Sequence, residues 1–147
     1  MRAAELRRPW PLVRAVAAAY LAGWRVQRGA PLPFDRLVEE LREGKPFKGA
    51  LADPNLHLRV VSRLLPGLPP RHMGRCMKRS LLLLHLWSRC GLAPCLHLGV
   101  ARLGEGLLGH AWLTAESGGR TLRAGSSDGQ REAFAFPAPD WRPVKPS

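Results

Sequence analysis

A chain of 147 residues with 46% hydrophobic content supports one domain with a modest core and is too apolar to be a disordered tail. Its 15 glycines and 14 prolines are scattered rather than periodic, which excludes collagen-like and solenoid architectures. A formal charge of +12 attracts polyanions or acidic peptides over long range, although the basic residues form no dense block and suit an Arg-rich chain with solvated charges equally well.

The N-terminus, MRAAELRR followed by PLVRAVAAAYLAGW, mimics a signal peptide. Arg14 interrupts the apolar segment and Arg25 closes it, well short of the ~20 apolar residues a membrane span needs. The spacing predicts a helix over 11–27 with Leu12, Val13, Val16, Tyr20 and Trp24 as an apolar stripe. GAPLP at 29–33 breaks it. Asp35 is placed to cap a short helix carrying Leu37, Val38 and Leu41 on one side, with Gly44 just past its end. Further on, Asp53 is an N-cap with Pro54 at the first helical position. Leu56, Val60, Val61 and Leu64 form the buried face, and Pro66 is the stop.

PGLPPRHMG, 66–74, is a turn-rich approach to a helix that starts near Cys76, ends at Ser88 or Arg89, and has Gly91 as its left-handed terminator. Leu81–Leu84 make that helix apolar all round, so it is expected at the centre of the fold. Beyond Gly91 the pattern alternates. CLHLGVARL, LLGHAWLTA (107–115) and RTLRA (120–124) read as strands, joined by turns at GEG (104–106) and ESGG. The expected class is α+β: N-terminal helices, then a central Cys-bearing helix packed on a small antiparallel sheet. FAFPAPDWRPVKP is expected to lie extended over the surface.

Three cysteines, at 76, 90 and 95, are an odd count. That argues against a secreted disulfide framework and for free thiols in a reducing cytoplasm. Cys76 falls where a helix begins. There, unpaired backbone N–H groups and the macrodipole favour a thiolate, and the same N–H groups can hold an oxyanion. Arg75, Lys78 and Arg79 are its basic neighbours. The residue-level reading leaves open whether Cys76 is such a nucleophile or a packed thiol.

A thiol nucleophile needs a base. His85, on the same helix, points to its opposite side. His72 lies in the approach loop, and His57 is expected at the surface. His97 and His110 lie on strands. His110, in GHAWL, shares a strand face with Trp112 and is the better base, with a core-packing role left open.

The run CMKRSLLLLHLWSRCG, then LHLGV, then GHAWL, resembles the transglutaminase-like cysteine leader peptidase of lasso-peptide biosynthesis. That stand-alone maturation protease is distantly related to papain-type enzymes. The likeness covers about residues 66–124. It implies a transglutaminase/papain-like core and a Cys-His-Asp triad, with Cys76 as nucleophile and His110 as base. By spacing the acid falls near Ala124 or Gly125, where this chain has none. Asp128 is the first carboxylate beyond, and Glu116 in the hairpin is the other option, or no third group at all. The implied reaction removes the leader from a ribosomally made precursor peptide, with a separate leader-recognition protein and a lasso cyclase as partners. Trp87, Trp112 and the N-terminal helices are expected to supply docking surfaces.

The chain is accordingly divided as one domain, 1–147: a helical part at 1–65, a catalytic core at 66–128 and an extended Pro-rich tail at 129–147. No cofactor, metal, nucleic-acid partner or membrane span is expected, and the expected location is the cytoplasm. Cys90, Cys95, His97 and His110 have no common zinc spacing, and Cys90 and Cys95 read as buried thiols. The rival readings are a catalytically inactive scaffold, or a basic nucleic-acid- or peptide-binding protein of the same fold.

Overall fold

The computed structural model describes residues 9–103, 105–125 and 131–136. Helix α1, Trp10–Gly29, shows how far periodicity alone reaches. An apolar stripe usually marks the buried side of a helix. Here the large residues face outward, with Trp10 69%, Leu21 64% and Trp24 49% exposed, while Ala15, Ala18, Ala19, Ala22 and Val26 are buried. Small side chains let the helix axis approach its neighbours α3 and α4 closely. At Gly23 the approach is closest. A Cβ there would collide with Pro69 O and stand 2.9 Å from Pro69 Cδ.

Helix α2, Phe34–Leu41, begins after Pro33 rather than at Asp35. Asp35 sits inside the first turn, where a carboxylate suits the dipole. Leu37, Val38 and Leu41 are buried, as expected. Helix α3, Pro54–Leu64, starts as its sequence dictates: Asp53 accepts a hydrogen bond from Asn55 N at 3.0 Å, and Pro54 takes the first position. Its buried residues include His57, which the sequence reading placed at the surface. The ring stacks on Phe47 at 4.8 Å between centroids, and its Nε2 is 2.6 Å from Leu51 O.

Helix α4, Arg75–Arg89, is the centre of the molecule. It packs on the other three described α-helices and on the sheet. Leu81–Leu84, Leu86 and Trp87 are all buried. Its C-terminus closes on Gly91 at φ +84°, with Gly91 N donating to Ser88 O and Leu92 N to Trp87 O, both at 3.1 Å. That is the paired closure a left-handed glycine permits.

His85 is 4% exposed, and its Nδ1–H donates to Leu41 O at 2.8 Å. Burial pushes its pKa down to about 4, with the nearby Arg25 and Arg89 lowering it further and the bond to Leu41 opposing. The folded state therefore holds His85 neutral, while the unfolded chain takes up a proton near pH ~6.5. Stability is complete above that pH and is lost as pH falls from ~6.5 to ~4, by about 3 kcal/mol in total. His57, lowered chiefly by burial, acts in the same direction. Thermal denaturation between pH 7 and 4 is expected to show this fall, and His85→Gln to flatten it. An unchanged slope in that variant would assign the acid sensitivity elsewhere.

The sheet has the order β3-β2-β1-β4, antiparallel throughout: β1 Cys95–Leu103, β2 Gly106–Ser117, β3 Arg120–Ala124 and β4 Arg131–Phe136. Gly118 and Gly119, at φ +57° and +78°, make the two-residue turn between β2 and β3. The β1–β2–β3 meander matches the sequence reading. Strand β4 does not: part of the stretch read as a surface tail pairs with β1 instead, from Leu96↔Phe136 to Val100↔Arg131 with a register shift between Leu98 and Gly99. Alternation gives the sheet two distinct faces. Leu96, Ala111, Leu113, Ala115 and Ala124 enter the same core as the α4 leucines. His97, His110, Trp112 and Thr114 lie on the other face.

Candidate active site

Gly74 stands immediately before α4 and has no side chain to cap it. The contrast with Asp53 at the start of α3 is chemical. One helix start is closed by the carboxylate of its N-cap residue, while at the other the N-cap residue offers no side chain to the first-turn N–H groups. Gly74 is exposed, and a Cβ built on it would meet no described residue within 4 Å. Its φ and ψ of −56° and 145° are open to any residue. Cys76 is the second residue of this first turn, half-buried and unoxidised.

Of the basic neighbours expected around the thiol, Lys78 is turned away. It is 2% exposed, and its Nζ donates to Leu68 O at 2.8 Å. Burial lowers its pKa, with Arg75 adding to the effect. The ammonium thus ties the Pro-rich approach segment to the first turn of α4, which holds Cys76 in place without touching it. Arg79 reaches the sheet instead. A Cβ added at Gly125 would stand 3.1 Å from Arg79 Nη2, 3.2 Å from Trp112 Cβ and 3.4 Å from Ala111 O. Gly125 has φ +96°, so a left-handed backbone without a side chain makes room for the guanidinium. Arg79 Nε is buried and has no hydrogen-bond partner among the described residues. Cys76 and Arg79 are i,i+3 neighbours on α4, with Cβ atoms ~5–6 Å apart, and the Arg79 guanidinium extends from there to Gly125. Lys78 and Arg79 are the functional positions that local sequence reading did not separate. Their adjacency hides opposite destinations.

His110 is half-buried on β2, opposite Gly99 of β1. Its ring stacks on Trp112 at 5.9 Å between centroids, and Trp112 in turn stacks on His97 at 5.3 Å. His97 Nε2 lies 2.7 Å from Thr114 Oγ1, so that ring is held by the sheet. The structure therefore brings α4 against β2 and brings Arg79, one turn beyond Cys76, to the residues flanking Trp112, two positions from His110. Glu116 is not part of this group. It lies at the hairpin end of β2, ~20 Å along the strand from His110, and accepts a bond from Thr121 Oγ1 at 2.6 Å. Asp128 lies outside the described residues.

The remaining thiols differ from Cys76 in environment. Burial pushes the Cys90 pKa up to about 12, with Asp53 adding to the rise and Arg89 opposing it. Its Sγ–H donates to Leu51 O at 3.8 Å. It is an inert packed thiol. Cys95 is half-buried on β1. Among the described residues no group of three or more His, Cys, Asp or Glu side chains is arranged to hold a metal ion. No described helix is long and apolar enough to cross a membrane. Trp87 and Trp112, expected to help form docking surfaces, are buried, and Trp87 Nε1–H donates to Pro54 O at 3.1 Å.

The sequence over residues 38–135 matches the transglutaminase-like superfamily, a group that includes cysteine peptidases. Searches of curated proteins and of solved structures returned no significant match. The matched span runs from α2 into β4 and contains both Cys76 and His110. The chain belongs to the transglutaminase-like superfamily.

Proposed function

We propose that this transglutaminase-like chain is a cysteine peptidase that removes the leader from a ribosomally made lasso-peptide precursor, with a separate leader-recognition protein and a lasso cyclase as partners. The observation that carries the reading is the placement of Cys76 in the uncapped first turn of a helix packed on the strand that bears His110. In this reading His110 takes the thiol proton, and Cys76 Sγ attacks the scissile carbonyl. The first-turn N–H groups of α4 hold the oxyanion. His110 then protonates the leaving amine, and water hydrolyses the thioester. For this chemistry Cys76 Sγ and His110, which lies on the sheet face turned away from the α4 leucine core, must approach each other at the rim marked by Arg79, Trp112 and Gly125. Asp128 is the proposed orienting carboxylate. The exposed side of α1, rather than Trp87 or Trp112, is the docking face for the recognition protein.

The test is to incubate the purified chain with a lasso precursor and its recognition protein and to follow intact mass. Release of leader and core as two products is expected. Partner binding without cleavage would identify an inactive scaffold of the same fold, and absence of both would set the lasso assignment aside.

A second outcome follows from Gly74. Gly74→Asp adds a capping carboxylate at a position whose backbone accepts it, so stability is expected to hold or rise slightly. The same carboxylate occupies a first-turn N–H and sets a negative charge beside the thiolate. Cleavage is expected to fall by ~100-fold, in line with the loss of one oxyanion donor. Unchanged kcat in a correctly folded Gly74→Asp would remove the oxyanion role from this turn.

A further inference from the structure

The far end of α4 carries a second concentration of chemistry that the peptidase reading does not use. A cavity of about 530 Å³ opens between the C-terminal half of α1, the end of α2 and the last turns of α4. Its lining includes Arg25, Arg28, Lys45 and Arg89, with Glu40 as the one carboxylate among the described lining residues. His85 forms part of the wall. Cys76 lies 13 residues before Arg89 on the same helix, ~20 Å away along its axis, so this cavity is separate from the candidate active site.

Two of the guanidinium groups are held in place by backbone. Arg25 Nη2 donates to Glu40 O at 3.2 Å, and Arg89 Nε donates to Lys45 O at 2.8 Å. Arg89 is further fixed by lying 4.0 Å over the Phe47 ring. Each anchor uses one N–H of a fork that carries five. The groups are also close enough to repel one another: Arg25 and burial together lower the pKa of Arg89, burial being the larger cause. Four positive side chains around one concave space, with one carboxylate to offset them, favour an anion placed among them. Planar guanidinium groups match phosphate oxygens in pairs. The volume lies within the 300–1,000 Å³ range of ordinary small-molecule sites.

We infer that the cavity between α1, α2 and the C-terminal end of α4 is a binding site for a phosphate-bearing small molecule, held by Arg25, Arg28, Lys45 and Arg89. General surface basicity would bind phosphate diffusely. This arrangement binds it at one place, with stoichiometry and with preorganised donors. Carboxylate ligands of similar charge fit less well, because they present fewer oxygens per charge centre to a set of forked donors.

Isothermal titration of the full chain with inorganic pyrophosphate, against sodium chloride at matched ionic strength, tests the site. Saturable binding of one pyrophosphate per chain is expected, with citrate at least ~tenfold weaker. Arg25→Gln with Arg28→Gln is expected to weaken pyrophosphate by ~tenfold or more. Lys45→Gln, which leaves the helices untouched, is expected to weaken it by a smaller factor and keeps the test open should the double variant fail to fold. The His85 ring resonance is expected to shift on titration of the unmodified protein, because that ring lines the cavity. Binding no stronger than the chloride control overturns the site. So does pyrophosphate affinity that survives Lys45→Gln and the double variant unchanged, or a His85 resonance that does not move. None of these readouts depends on peptidase activity.

Discussion

Cys76→Ala is expected to abolish leader removal, with the rate falling by ~10⁴-fold or more and the fold left intact. The residue is half-buried in a first turn, and trimming its sulfur leaves the α4 leucine core untouched. A loss of activity without a loss of melting temperature is therefore the informative result. His110→Ala is expected to match it within about an order of magnitude, since nucleophile and base act as one unit and their losses do not add. Alkylation adds a readout that needs no substrate. Iodoacetamide at neutral pH is expected to label Cys76 well ahead of Cys90, whose thiol is pushed up to about 12 by burial. His110→Ala is expected to slow labelling of Cys76 alone. Wild-type cleavage by either variant, or equal labelling of Cys76 and Cys90, would remove the thiol from the chemistry.

Trp87→Ala is expected to be the most damaging substitution for stability, at ~3–5 kcal/mol. The indole is wholly buried on α4, where all the other described helices meet. Its Nε1–H also donates to Pro54 O at the start of α3, so truncation leaves a cavity and removes a hydrogen bond between the two helices. A domain of this size has about 5–15 kcal/mol in total, so the variant is expected to melt far lower or to fail to accumulate. Trp87→Phe keeps most of the volume and loses the donor, and is expected to cost ~1–2 kcal/mol. Urea denaturation of the two variants separates the terms. Equal losses would show that the hydrogen bond, not the volume, is what matters.

The parts of the fold that could be read from the chain are those whose determinants are local. Asp53 followed by Pro54 starts α3, Gly91 ends α4, and Gly118–Gly119 turns β2 into β3, each through backbone chemistry within a few residues. The misreadings were decided by distant partners. Both sides of α1 have helical spacing, and the choice of the alanine side as the inner one rests on how closely α3 and α4 approach. His57 is buried because Phe47 and Leu51 O receive it. Strand β4 is short and precedes a run of prolines, and it becomes a strand by adding to the edge of β1 about 30 residues earlier in the chain.

The candidate site divides in the same way. The position of Cys76 in a first turn and the shared face of His110 and Trp112 follow from helix and strand periods. The divergence of Lys78 toward Leu68 O and Arg79 toward Gly125 comes from tertiary packing, which neighbouring letters in a sequence do not encode.

The missing side chain at Gly23 gives α1 a closely fitted inner side and an exposed outer one. On its inner side a backbone atom of the approach segment occupies the space any Cβ would need, so that position tolerates no substitution without shifting the segment that leads to Cys76. Tyr20, Leu21 and Trp24 on the outer side touch solvent. Tyr20 and Trp24 also border Pro69 and Pro70, so whatever settles on this outer side bears directly on the segment that leads to Cys76.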